Sequence, residues 1–402
     1  MSNNLYQTAN IIKKVFNGRK LSDIFREFEN NDNLNILKAL SYSVLRNYDE
    51  CFFYYSKLVK NKNRNLESII LLISFYQLIY SNHKDHNVVN NSVDSVKKLN
   101  KQHFVNAVLR SFLRNKDELI QVFKKNKFFL PKWWKFEILK NKKFNYDEYV
   151  VFAKDKPPLT IRLNFIDKNS YINFLGKKRI GYTLLSNKAI SFDKAVPINQ
   201  IPLFNEGVVS VQDFGAQQIL ESIKFQKGSK VLDACAAPGG KTIQILENDV
   251  FLTAIDISKK RVNLIKENLK RVGKNAKVIK ADLRKLDTWW DGKKYDFILL
   301  DVPCSSSGVL KRNPDIRFSR KKNDLLDLLN LQNDILKCAW KILKVNGTLI
   351  YSTCSVFFSE NEAQIDKFLF KHKNAKLVDK KHHLVKISKY TDAFYFAHIT
   401  KS

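Results

Sequence analysis

Apolar residues in the first third of the chain recur at helical spacing. Ile11, Ile12, Val15 and Phe16 form one set, Leu34, Ile36, Leu37 and Leu40 a second, and Phe104, Val105, Val108, Leu109 and Phe112 a third. Between them, Ile69 to Tyr80 is apolar almost throughout, interrupted by Ser74 and Gln77. It predicts a buried helix and falls short of the roughly 20 residues that a membrane span requires. From about Leu5 to Phe128 the pattern thus predicts a helical bundle. Pro131-Lys132-Trp133-Trp134 and Lys154-Asp155-Lys156-Pro157-Pro158 then punctuate the chain, and Leu159 to Gly207 carries short strand-like pieces such as Leu159 to Leu163. From Gly228 onward the rhythm changes again. Val231-Leu232, Val250 to Ile255, Lys277 to Ala281, Tyr295 to Leu300 and Thr348 to Tyr351 read as strands, and Lys259 to Val272 and Asp324 to Leu343 as helices. That alternation predicts an α/β domain built on a doubly wound parallel sheet. The expected organisation is a helical domain over residues 1–138, a small α/β connecting module over 139–220 and the α/β domain over 221–402.

A chain of 402 residues has room for two or three such domains. Its hydrophobic fraction of 44% and charged fraction of 27% are those of an ordinary globular protein. The N-terminus has no basic segment followed by an apolar one, which points to the cytoplasm. The five cysteines, with no export signal and no Cys-x-x-Cys pair, are expected as reduced thiols without structural zinc. The net charge of +31 predicts a polyanionic partner. An A- and T-rich coding bias would also enrich lysine, but it does not require so large an excess over acids. Arg46, Lys84, Lys97, Lys98, Lys101 and Arg110, between the apolar helical sets, suit a solvated surface and an RNA-contacting face equally well.

The candidate chemistry gathers at predicted strand ends. Asp233 to Thr242 follows a strand and opens a helix, and its small residues let the backbone approach a carboxylated or phosphorylated ligand. Gly240-Lys241-Thr242 matches the tail of a P-loop, but that pattern needs glycine where Cys235 stands, and Pro238 lacks one of the cradling N–H groups. Asp256, Asp282 and Asp301 end three further strands, and an acid at the distance of Asp256 from the loop suits a ribose. Two cysteines lie just past apolar runs, in Asp301-Val302-Pro303-Cys304 and Tyr351-Ser352-Thr353-Cys354. On neighbouring strands both thiols would open onto one crevice. A pair of thiols beside a nucleotide-cofactor loop suggests covalent chemistry on an electrophilic base. Cys338, inside a helical run, reads as a small buried hydrophobe.

Asp233 to Thr242, Asp301 to Gly308 with Asn313-Pro314-Asp315-Ile316-Arg317, and Tyr351 to Ser355 with Glu360-Asn361-Glu362 resemble the signature motifs of S-adenosylmethionine-dependent RNA 5-methylcytosine methyltransferases of the Nol/Nop/Sun type. Leu45-Arg46, Tyr76-Gln77-Leu78, His86 to Asn90 and Phe104 to Arg110 resemble the NusB-like helical domain fused to bacterial small-subunit (16S) ribosomal RNA methyltransferases of the B type, and Val211-Gln212-Asp213 resembles the segment before their catalytic core. Asp392-Ala393-Phe394 departs from the family, which usually has Gly after the Asp.

The resemblance implies a Rossmann-like class I methyltransferase domain behind a NusB-like domain. It also implies S-adenosylmethionine as cofactor and small-subunit ribosomal RNA as partner, with no DNA, no membrane and no metal, in a monomer. Cys235, Ala236, Ala237, Pro238, Gly239, Gly240 and Lys241 would line the methionine part of the cofactor, Asp256 its ribose and Asp282 its adenine, and Asp301 would lie between cofactor and target base. A thiolate that adds to carbon 6 of cytosine makes carbon 5 nucleophilic enough to be methylated, after which a base must remove the carbon-5 proton so that the thiol can leave. Spacing leaves open which cysteine attacks. The resemblance assigns attack to Cys354 and product release to Cys304; Lys311, Arg312 and Arg317 read as candidate phosphate contacts, with solvated charge as their default reading. Transfer RNA methylation and a non-catalytic RNA-binding assembly factor are the alternatives, and the intact motifs and fused helical domain argue against them.

Overall fold

The computed structural model describes residues 2–124, 130–142, 144–194, 196–378, 381–385 and 387–402. Phe128, where the expected helical pattern ends, lies outside them. By packing, the chain divides into two units: residues up to Lys135 together with Leu310–Lys321, and Phe136–Val309 together with Lys322–Ser402.

The first unit holds α1 (Ser2–Phe16), α2 (Leu21–Arg26), α3 (Leu34–Arg46), α4 (Tyr48–Leu58), α5 (Leu66–Tyr80), α6 (Asp85–Ser95), α7 (Gln102–Arg114) and α8 (Lys116–Lys124). α5 is its axis, because a helix that is apolar on nearly every side must be surrounded. Ser68 through Phe75 and Leu78 are all buried. The hydroxyl of Ser74 is satisfied inside the core by Ile70 O at 2.7 Å and by Ser92 Oγ at 2.7 Å. Two members of the apolar sets are not core: Ile36 and Phe104 are 52% and 38% exposed. The inward faces of their helices are already filled by Leu37, Val44 and Leu45 on α3 and by Val105, Val108, Leu109 and Phe112 on α7.

The chain continues through α9 (Lys132–Leu139), α10 (Tyr146–Lys154), β1 (Leu159–Leu163), α11 (Lys168–Lys177), β2 (Tyr182–Leu184), β3 (Ala189–Phe192), β4 (Val209–Val211) and α12 (Phe214–Gln218). The four strands form an antiparallel sheet in the order β2-β3-β1-β4, with Tyr171 and Leu175 of α11 in its core. There follow β5 (Lys230–Ala234), α13 (Gly240–Ile245), β6 (Phe251–Asp256), α14 (Lys259–Arg271), β7 (Lys277–Lys280), β8 (Tyr295–Asp301), α15 (Ile316–Ser319), α16 (Lys322–Ile342), β9 (Leu343–Thr353), α17 (Glu362–Lys371), β10 (Ala375–Leu377), β11 (His383–Val385) and β12 (Phe394–Lys401).

The large sheet runs β10-β12-β9-β8-β5-β6-β7, with β11 on β12. It is a Rossmann-like sheet covered on both faces: alternate strand residues such as Leu232, Ile255 and Leu300 pack with Ile335, Leu336 and Ile365 of α16 and α17. Ala254, on the opposite face, packs with Ile243 of α13 and Ile265 of α14. The alternation of elements predicts a wholly parallel sheet, and here the structure differs. β5 to β9 are parallel, but β12 pairs antiparallel with β9. Strand polarity leaves no mark on an apolar pattern, and β12 returns after the short strands β10 and β11 instead of after a crossover helix.

α15 belongs to the helical unit, although it lies in sequence between the strands of the large sheet. Phe318 packs edge-on against Phe16 and Tyr48, with ring centroids 5.1 and 4.9 Å away. Arg317 pairs with Asp49 at 2.7 Å, Asp315 accepts a hydrogen bond from Leu21 N at 3.0 Å, and Arg46 donates to Lys311 O at 2.9 Å. Lys311 and Arg317, expected as phosphate contacts, are therefore buried at 0% and 6% exposure. Arg46 is also committed here, while Lys84, Lys97, Lys98, Lys101 and Arg110 remain exposed. Because removing one partner of a buried pair costs about 3 kcal/mol or more, Asp49→Ala should destabilise the helical unit by that amount. Urea denaturation followed by circular dichroism measures it, and an unchanged midpoint would contradict the packing of α15.

Candidate active site

β8 and β9 are adjacent and parallel, with Leu300 opposite Tyr351 and Asp301 opposite Ser352. Both strands therefore end at the same edge, where ligands of open α/β sheets bind. The loops that leave them are tied by backbone hydrogen bonds, Val302 N to Ser352 O at 3.1 Å and Gly308 N to Cys354 O at 2.9 Å. The result is that Cys304 Sγ and Cys354 Sγ lie 3.4 Å apart. Cys304 is buried and Cys354 is partly exposed. Gly308 is needed for this closeness, since a Cβ there would fall 2.2 Å from Ala393 O and 3.0 Å from Cys354 O. Ala393, which stands where the family usually has glycine, donates its N–H to Gly308 O at 3.1 Å and has no left-handed φ, so its methyl group is tolerated.

Either sulfur could donate in the Cys304–Cys354 contact, and the surroundings decide the polarity. The hydrogen bond from Cys304 is the largest influence that brings the Cys354 thiol below its ordinary range, against burial and the Asp301 charge and with help from Ser306 and the Lys241 charge. Cys304 is pushed up, first by that same bond, then by burial and by the charges of Cys354 and Glu360. Two thiolates so close would repel strongly, so one proton stays in the pair and rests on Cys304. Lys241 Nζ pairs with Asp301 at 2.7 Å, and Asp301 also accepts from the Ser352 hydroxyl at 3.2 Å. This pair sits beside the more exposed thiol, where the lysine charge favours a thiolate.

The loop expected to hold the cofactor starts from Asp233 at the end of β5. Its carboxyl is fully buried, accepts from the Thr242 hydroxyl at 2.6 Å and is pushed by burial up to about 7. Gly239 turns the loop with φ +103°, and a Cβ there would lie 3.5 Å from Ile265 Cα. Asp256 accepts from Ser258 N at 3.0 Å and from Ala237 N at 3.4 Å, and Arg261 pairs with it at 3.2 Å. Asp282 is held by Arg284 at 2.7 Å. Cys235, Asp256 and Asp282 border a cavity of about 100 Å³ with Ile255, Ile257, Leu283, Pro303, Leu331 and Ile335. This apolar slot, with a carboxylate at each of two strand ends, offers acceptors for ribose hydroxyls and an amino group. Ala236, Ala237, Pro238, Gly239 and Gly240 form the turn beside it, and Lys241 reaches from that turn to Asp301.

Burial pushes the Cys235 thiol up to about 12, which disfavours a thiolate there. Cys338 is only half-buried, with its sulfur 3.9 Å from Arg284 O, so it is not the core residue its helical setting suggests. Sequence reading gives no role to the residues that hold the two cysteine loops together: Ser305, Ser307, Ser355, Gln332, Glu360 and Asn361. A run of serines and an acid after a strand end carry no signal of burial, yet all six are at most 1% exposed.

A family model described as 16S rRNA methyltransferase RsmB/F matches residues 220–400, and a NusB family model matches residues 4–114. The ribosomal RNA small subunit methyltransferase B of Photorhabdus laumondii is 33% identical over 99% of this chain and 99% of its own. That of Pasteurella multocida is 35% identical over 92% and 87%. Among solved structures, the crystal structure of PH0851 superposes with TM-score 0.73 at 22% identity, covering 95% of this chain and 94% of its own, which shows a shared fold.

Gly308→Ala should force the two loops apart. Overpacking of this kind costs about 1–3 kcal/mol, and the expected outcome is a lower melting temperature together with loss of methyl transfer. A variant with wild-type stability and turnover would show that the close approach at Gly308 is dispensable.

Proposed function

The chain belongs to the RsmB/F family of S-adenosylmethionine-dependent 16S rRNA methyltransferases, and from that premise we propose that it methylates carbon 5 of a cytosine in small-subunit ribosomal RNA, with Cys354 as nucleophile and Cys304 as the group that releases the product. The observation that carries this reading is the 3.4 Å approach of the two sulfurs at adjacent strand ends. When bound, the cofactor supplies an electrophilic methyl group on a sulfonium. The Asp256 and Asp282 side of the cavity would hold its nucleoside, and the turn from Cys235 to Lys241 its amino-acid part.

The work of this chain's own residues follows from their protonation. Cys354, as thiolate, adds to carbon 6 and pushes the electrons of the carbon 5–carbon 6 double bond towards carbon 5. Once Cys354 is bonded to carbon, the strongest influence holding the proton on Cys304 is gone. Cys304 can then yield its proton to solvent and, as thiolate, take the proton from the methylated carbon 5. The electrons of that C–H bond restore the double bond, and Cys354 leaves as thiolate. Lys241 and Asp301 stand between the cofactor loop and the cysteines, where they can orient the base. A stacked cytosine cannot reach this edge, so the base must be flipped from an opened segment of RNA. The surplus of basic residues serves the phosphate backbone, and the reaction is placed in the cytoplasm, where the ribosome is assembled.

Bisulfite sequencing of ribosomal RNA from cells with and without the protein should reveal one cytosine that loses protection in its absence; no difference would refute the reading. Cys354→Ala should abolish covalent capture of RNA, and Cys304→Ala should let the adduct accumulate. The opposite pattern would exchange the two roles. Adduct formation by the wild type should rise with pH along an acid limb centred below the ordinary thiol value of about 8.5. In Cys304→Ala that limb should move to higher pH, because the hydrogen bond that chiefly favours the Cys354 thiolate is gone. Rapid-quench measurements across pH check both.

A further inference from the structure

Glu360 follows the second cysteine motif and sits at 0% exposure. Four donors converge on its carboxyl group. Oε1 accepts from Ser305 N at 2.8 Å and from Gln332 Nε2 at 3.0 Å, and Oε2 accepts from the hydroxyls of Ser305 and Ser355. One of these serines directly follows Cys304 and the other directly follows Cys354. The same glutamate accepts the Tyr351 hydroxyl on its backbone oxygen at 2.8 Å, and Gln332 makes a second bond to Pro303 O at 3.0 Å. Asn361 repeats the arrangement on the Cys354 side, accepting from the Thr353 hydroxyl at 2.6 Å and donating to Ser355 O at 2.9 Å.

We propose that Glu360 is a positioning residue for the methyl transfer: its buried carboxylate clamps the loop of Cys304 to the loop of Cys354, through Ser305 and Ser355, and supplies a fixed negative charge on the Cys304 side of the pair. The donors around both oxygens favour the ionised form against burial. Both serine hydroxyls lie within hydrogen-bond distance of the carboxylate, and a protonated Glu360 would bring a fifth donor to a group of donors. Burial, the largest influence, leaves the Glu360 carboxyl above its ordinary value on balance, and the four hydrogen bonds oppose that rise. A carboxylate held there disfavours a second anion on Cys304 and leaves Cys354 as the thiolate.

This inference rests on the cytosine reading above, and the test separates the two. RNA containing 5-fluorocytosine, which cannot lose a proton from carbon 5, should trap the wild type as an adduct at Cys354. No adduct with the wild type would sink the cytosine reading itself. Given that adduct, Glu360→Gln should keep its fold and its binding of S-adenosylmethionine but form the adduct more slowly, on the order of 100-fold for a displaced reacting group. At high pH, adduct formation should fall where Cys304 also ionises, because a second anion opposes the charge that develops on carbon 5. This alkaline limb should move to lower pH in Glu360→Gln. A purely structural role would lower the rate at every pH and leave that limb in place. Adduct formation at the wild-type rate with an unmoved limb would overturn the proposal. Should Glu360→Gln fail to fold, Ser355→Ala keeps the charge and removes one tether. It should slow adduct formation without moving the limb, and wild-type kinetics in that variant would equally overturn the clamp.

Discussion

Two sulfurs 3.4 Å apart repel strongly when both are ionised, so near neutral pH the pair holds one proton. That repulsion turns two similar side chains into two different ones. Whichever thiol is better supported becomes the anion, and the other keeps its proton and donates it. The partly exposed Cys354 is favoured as anion by the Cys304 hydrogen bond, the Ser306 hydroxyl and the Lys241 charge against the Asp301 charge, and Glu360 opposes an anion on the buried Cys304. The asymmetry belongs to the neighbours, since the two residues are chemically the same.

The approach itself depends on backbone geometry. Parallel pairing of β8 with β9 brings the loops to one edge, but the strand spacing of about 4.8 Å is wider than the distance between the sulfurs. The loops must therefore lean together. Gly308, pressed between Cys354 and Ala393, gives the room, and the packed hydroxyls of Ser305, Ser307 and Ser355 hold the lean, with Ser307 Oγ 3.0 Å from each of the other two oxygens. Tyr149 adds support from α10 by donating to Ser307 O at 2.5 Å.

Much of this is legible in the chain. The apolar rhythm shows the helical unit and the sheet, and the two cysteine motifs announce their convergence because strand ends are readable from apolar runs. The antiparallel β12 is not legible, because polarity is set by the path of the connections. Nor is the burial of Arg317, whose partner Asp49 lies 268 positions away in sequence. Glu360 fails to stand out for a related reason: an acid at the start of a helix looks like a solvated cap until Ser305 and Gln332 are brought to it from other parts of the chain.

The placement of α15 has a consequence for the order of synthesis. The helical unit is made first, yet its last piece, Leu310–Lys321, follows roughly 170 residues later. At about 5–20 residues per second, the ribosome needs roughly 9 to 35 seconds to make the stretch between. During that interval Phe16, Tyr48 and Asp49 stand without Phe318 and Arg317. The nascent bundle is complete only after the first cysteine motif has been translated, so its final packing is timed by the catalytic domain's own synthesis.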